Sequence, residues 1–191
     1  MNTAYELIFD SSTLNAEVIF AGTRCAQDNL LRNYRSGTLH FIRSGAAQVL
    51  AQDQATFQVD RPSLVFFPSS RAHWVRAVDD AGFDMVCAIT NFSEVFSRAV
   101  TLSFPQVIVL PLEELSAIRY TLEAFFAEAA SPQPGSKQLA DRLCEVVLGY
   151  LTRYLVDKGS LSPGLLAAAS DKRIAAAIKA IHTRFQTALD L

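Results

Sequence analysis

Thr38-Leu39-His40-Phe41-Ile42-Arg43-Ser44-Gly45 is an apolar run closed by a Ser-Gly turn, and Ser63-Leu64-Val65-Phe66-Phe67-Pro68-Ser69-Ser70 repeats the pattern with a Pro-Ser turn. Between them lie Ala47-Gln48-Val49-Leu50, the polar turn Gln52-Asp53-Gln54 and Thr56-Phe57-Gln58-Val59, and after them comes Ala72-His73-Trp74-Val75. Short apolar runs separated at short intervals by polar or Gly/Pro punctuation are what an antiparallel barrel or sandwich requires. Working outward, Glu17-Val18-Ile19-Phe20-Ala21 reads as a strand stopped by Gly22-Thr23, and Gly82 to Ile89 reads as a further strand. Residues 4–9 fit a short helix or an edge strand equally well.

After Pro111 the period changes. Leu112, Leu115, Ile118, Leu122, Phe125, Phe126 and Ala129 recur at three- and four-residue steps, which predicts an amphipathic helix with acidic residues in its first turn. Ser131-Pro132-Gln133-Pro134-Gly135 breaks it, and Leu139, Leu143, Val146, Val147, Tyr150, Leu151, Tyr154 and Leu155 predict a second helix antiparallel to the first. A hairpin beside a small barrel can leave one apolar stripe uncovered, so this second helix is a candidate homodimer seam. Residues 159–170 read as a linker. Asp171 onward, with Ile174, Ile178, Ile181, Phe185 and Leu189 on one face, predicts a third helix that runs into Leu191 with no stop signal and looks cut rather than finished.

The chain has 191 residues, half of them hydrophobic, and a formal net charge of -2. That supplies one sizeable core with an appendage and lacks the clustered basic excess of a nucleic-acid surface. Cys25, Cys87 and Cys144 fall in no metal or redox spacing, which predicts reduced thiols. No basic leader precedes an apolar segment and no stretch approaches membrane-span length, so the expectation is a soluble, cytoplasmic protein with no membrane partner.

The runs from Leu39 to Gly45 and from Pro62 to His73 resemble the two-part signature of a cupin barrel, and in particular the effector-binding domain of arabinose-regulator (AraC) type transcription factors. Pro62-Ser63 stands where the family has Pro-Gly-Asp. The segment Asp171 to His182 is similar to the one that opens the DNA-binding region of the same family. The resemblance implies a mainly β fold with appended α, a cupin-type (double-stranded β-helix) barrel over residues 1–110. A helical hairpin follows over 111–158, then the linker, then the start of the first DNA-binding helix over 171–191. It implies the regulatory half of a transcription regulator, a homodimer that senses a small-molecule effector and meets DNA only through helix-turn-helix units beyond Leu191.

Many cupins hold a metal with two His, a Glu and a further His. Counting back from Gly45, the Glu position falls on Thr38 and the His pair near Arg32 and Tyr34, so only His73 is kept. One imidazole does not make a metal site, and no metal or cofactor is expected. His40 shares a strand face with Thr38 and Ile42. By analogy with the family that face looks inward, and His40 with His73 then makes a hydrogen-bonding pair for an effector. A core histidine satisfied by one backbone bond is the plain alternative for either alone.

Arg24, Arg32, Arg35 and Arg43 are candidate cations at the barrel mouth, suited to an acidic effector, against the commoner solvated rim. Phe66 and Trp74 either pack a ligand or fill the core. No Gly-rich phosphate loop, Gly-x-Ser-x-Gly elbow or HExxH motif is present, and Ser69 and Ser70 read as turn residues, so no catalytic residue is assigned. The competing readings are a stand-alone, metal-free cupin enzyme with His73 or His40 as general base on a small polar substrate, and a packed barrel that only dimerises.

Overall fold

The computed structural model describes residues 14–25, 30–32, 36–51, 56–92 and 103–161. The N-terminal segment at 4–9, nearly all of the linker and the helix expected from 171 lie outside the described residues.

The strands are β1 (Leu14–Arg24), β2 (Leu30–Arg32), β3 (Gly37–Gly45), β4 (Ala47–Ala51), β5 (Phe57–Val59), β6 (Ser63–Phe67), β7 (His73–Ala77), β8 (Phe83–Phe92) and β9 (Ile108–Pro111). They form two antiparallel sheets, one ordered β1-β8-β3-β6-β9 and the other β2-β7-β4-β5. β3 and β6 are buried on both faces, which is why their sequences are nearly continuous apolar runs. β7 alternates buried and exposed, because its outer face meets solvent.

Sheet parity sorts the core into two layers. Ile42, Val65, Phe67, Phe83, Met85 and Cys87 of the five-stranded sheet meet Ala47, Val49, Val59, Val75 and Ala77 of the four-stranded sheet. The opposite face of the five-stranded sheet, with Leu39, Phe41, Leu64, Phe66, Val86 and Ala88, is covered by the helices. The protein is therefore mainly β, with two facing antiparallel sheets and a C-terminal helical layer.

Three local expectations need correction. Gly22-Thr23 does not stop β1: the strand runs on to Arg24 with Gly22 at φ +146°, because pairing with β8 continues across the glycine. Ile108–Pro111, which the sequence left unassigned, is an edge strand on β6. The single helix expected after Pro111 is a 3-10 segment, Leu112–Ile118, followed by α1 (Arg119–Ala130), with Leu115 in a non-helical conformation. The three-residue steps between Leu112, Leu115 and Ile118 suit a helix of three residues per turn.

α2 (Ser136–Asp157) follows the turn at Gly135, whose φ of +88° needs no side chain. It buries Ala140, Cys144, Val147, Leu148, Leu151, Thr152 and Leu155, and Phe125 of α1 is wholly buried beside it. Of the apolar residues that predicted this helix, Leu139, Val146 and Tyr150 stay uncovered, 53%, 47% and 41% exposed. Each full-size apolar side chain buried here contributes about 2 kcal/mol. Exposed pairs such as Arg142–Glu145 are screened by solvent and add little, so packing rather than charge holds the hairpin in place.

Asp141 adds one directed contact. Its carboxylate accepts a hydrogen bond from the backbone N–H of Val18 at 2.7 Å and pairs with Lys137 at 3.1 Å, while Lys137 also reaches Glu17. Among the described strands β1 is a sheet edge, and α2 covers it at the bulge between Val18 and Phe20. The bulge turns both Ile19 and Phe20 toward the layer between the sheets.

Candidate functional site

His40 sits in mid-β3, opposite Val65 of β6 and Cys87 of β8, and side-chain alternation sends it to the same side as Thr38 and Ile42. His73 opens β7 in the other sheet, opposite Arg32 of β2 and Ala51 of β4. The two imidazoles meet between the sheets with Nε2 to Nε2 at 2.7 Å, and both are fully buried. Phe67 stacks on His73 with ring centroids 4.0 Å apart and stands nearly perpendicular to the His40 ring.

The proton positions follow from the partners. His73 Nδ1 lies 2.8 Å from the carbonyl oxygen of Arg71, which can only accept, so Nδ1 carries a hydrogen and donates. A neutral His73 then has a lone pair on Nε2, and His40 Nε2–H donates to it. The result is a directed chain from His40 through His73 to a backbone carbonyl, in which His40 Nδ1 has acceptor character. Such a chain inside an apolar layer is stronger than the same bonds in water and fixes both rings.

This arrangement does not fit a metal centre. Two nitrogens on one tetrahedral zinc stand about 3.4 Å apart at ordinary Zn–N distances. The 2.7 Å separation is that of a hydrogen bond. Among the described residues no three His, Cys, Asp or Glu side chains converge as metal ligands.

The remaining residues named from the sequence divide. Thr38 and Ile42 are buried on the side of the histidine pair. Phe66 is not: it belongs to the helix-covered face, edge-on to Phe104. Trp74 lies between the inward His73 and Val75 and is 37% exposed on the outer face of β7. Arg24 stands at the end of β1, level with Phe83 of β8 and Gly45 of β3, four residues along β8 from the His40 level. Phe67 and Cys87 occupy interior positions beside the pair and escaped the sequence reading.

At the sheet edge nearest Thr38, Gly37 lies under Thr90. A side chain at position 37 would put its Cβ 2.5 Å from Thr90 Oγ1, 2.7 Å from the carbonyl of Pro68 and 2.9 Å from that of Phe67. The glycine is what lets β3 and β8 close at this end. Among the described residues no helix is long and apolar enough to cross a membrane.

A search of the curated proteins finds no match. Among solved structures the chain is similar to a cupin with a double-stranded β-helix fold from Methanocaldococcus jannaschii, at 11% identity over 41% of this chain and 68% of that one, with a TM-score of 0.32. It is similar to unsaturated fatty acid bound ToxT from Vibrio cholerae at 9% identity, over 77% of this chain and 55% of that one, with a TM-score of 0.42. A variant of oxalate decarboxylase from B. subtilis aligns at 18% identity over 42% of this chain and 22% of that one, with a TM-score of 0.30. The chain thus spans about half the length of ToxT. The cupin family profile matches residues 7–157, from ahead of β1 to the end of α2, and the chain belongs to the cupin family.

Proposed function

We propose that these residues form the effector-sensing and dimerising half of an AraC-type transcription regulator acting in the cytoplasm. The observation that carries the reading is the buried His40–His73 chain between the sheets, a directional polar group set in an apolar layer as small-molecule sites require. A small effector hydrogen-bonds to this pair, with Thr38 and Ile42 beside it. Residues 1–110 are the sensing unit and 111–158 the dimerising hairpin, whose exposed Leu139, Val146 and Tyr150 supply the seam. Residues 159–170 link to DNA-binding units that open at 171. An effector shifts the regulator only if it binds two arrangements of the hairpin with different affinity.

The test is a thermal-shift screen of small metabolites on the 191-residue chain, repeated with His40→Ala and His73→Ala. A ligand at 100 times its Kd stabilises the fold by about 2.7 kcal/mol. The reading expects at least one compound to raise Tm in the wild type and not in either variant, and to change the dimer dissociation constant in sedimentation. Equal shifts in all three proteins contradict it.

One observation favours a second reading. A backbone carbonyl fixing His73 Nδ1–H is also how a general-base imidazole is oriented, so a metal-free enzyme on a small polar substrate is the alternative. Turnover of the screened compound, lost in His73→Ala, selects it.

A further inference from the structure

The β1 bulge brings Phe20 to the layer between the sheets, and two residues on, Gly22 has no side chain there. The Phe20 ring lies along the strand toward that gap, its Cζ 3.5 Å from where a Cβ of residue 22 would be. Arg24, the next residue of the same parity, lays its guanidinium over that ring at 3.7 Å. Arg24 Nε is buried and has no hydrogen-bond partner. Among the described residues no carboxylate pairs with Arg24: Asp84, next to it in register, is taken by Arg43, and Asp141 and Glu17 are taken by Lys137.

A guanidinium is always charged, and a partly buried one without a counter-charge is costly. Stacking occupies its face and leaves its N–H donors in the plane of the fork, the geometry that a planar carboxylate accepts in bidentate fashion. One cation balances one negative charge. The neighbouring layer, with Phe83, Met85 and Ile42, is apolar. We infer that Arg24, held flat by Phe20 across Gly22, is the seat for the carboxylate of a small monoanionic ligand with an apolar body. This rests on the reading of the layer between the sheets as the effector site and adds the effector's chemical class.

Benzoate and its neutral counterpart benzamide test it, titrated by calorimetry into the 191-residue chain and into Arg24→Gln, Arg24→Lys and His40→Ala. The expected result is binding of benzoate about tenfold or more tighter than benzamide in the wild type, the size of one charge-assisted contact. Arg24→Gln should lose that preference, and Arg24→Lys, which keeps the charge without the fork, should retain part of it. Equal binding in the wild type, a preference unchanged in Arg24→Gln, or no saturable binding of either probe overturns the inference. Equal binding of both probes that vanishes in His40→Ala overturns the Arg24 seat and leaves the histidine site standing. An Arg24-dependent preference that survives His40→Ala supports the seat and counts against the histidine site.

Discussion

His40 and His73 bond each other through their Nε2 atoms, so removing either ring leaves a buried polar nitrogen and a void. An unsatisfied buried group costs about 1–3 kcal/mol and the lost packing adds to it. His40→Ala should therefore lower stability by at least about 2 kcal/mol in urea unfolding. His73→Ala should cost more, because it also removes the bond to Arg71 and the stack on Phe67. The double variant should cost less than the sum of the singles by about 1 kcal/mol, and strict additivity would mean the two rings do not interact. Gly37→Ala is a second residue-scale case. Two of the three atoms it meets are backbone oxygens that cannot rotate away, so overpacking of about 1–3 kcal/mol is expected in the same measurement.

At the scale of elements, α2 is tied to the barrel by its apolar face and by Asp141. Leu148→Ala should cost about 3 kcal/mol. Asp141→Ala should cost about 1–2 kcal/mol, discounted because the carboxylate is partly exposed, and Arg142→Ala close to nothing. That ordering, read from urea midpoints, separates packing from surface charge. Hydrogen exchange at Val18 should quicken in Asp141→Ala.

Element boundaries were partly legible. β3, β4, β6 and β7 lie where short apolar runs and turn residues put them; strand spacing set His40 on the face of Thr38 and Ile42, and the family resemblance turned that face inward. Face was not legible in β6: every residue from Ser63 to Phe67 is apolar or small, so nothing in the run says that Phe67 and not Phe66 looks toward the pair. Trp74 was misleading because a large aromatic suggests burial, whereas the parity set by His73 and Val75 turns it to solvent. β9 is too short to show a period, and α2 is apolar over so broad a surface that its sequence does not say which stripe is buried: Ala140 and Cys144 are, Leu139 and Val146 are not.

Over the whole molecule, three groups respond to alkali in the same direction. Lys137 is raised above its usual value chiefly by the Asp141 bond, Cys144 by burial, and Tyr154 by its bond to Glu114. A folded-state value above the unfolded one gives stability that is complete below the unfolded value and lost as pH climbs toward the folded one. For the thiol that window opens at its ordinary 9.0. Unfolding midpoints should thus fall between pH 8 and pH 10.5, and Cys144→Ala should lessen the fall. A flat profile would contradict the burial of Cys144 against the sheet. Native-state thiol labelling should modify Cys25, which is exposed, well ahead of Cys87 and Cys144.

The central claim is that the chain's polar centre, shared between the two sheets by His40 and His73, is where a small molecule binds. Imidazole nitrogen NMR on histidine-labelled protein, titrated with the strongest compound from the thermal screen, tests this most directly. The account predicts an Nδ1-protonated His73 hydrogen-bonded to His40 in the free protein, and nitrogen shifts of both residues that saturate with the ligand. Both sets of signals unmoved at saturating ligand would contradict it.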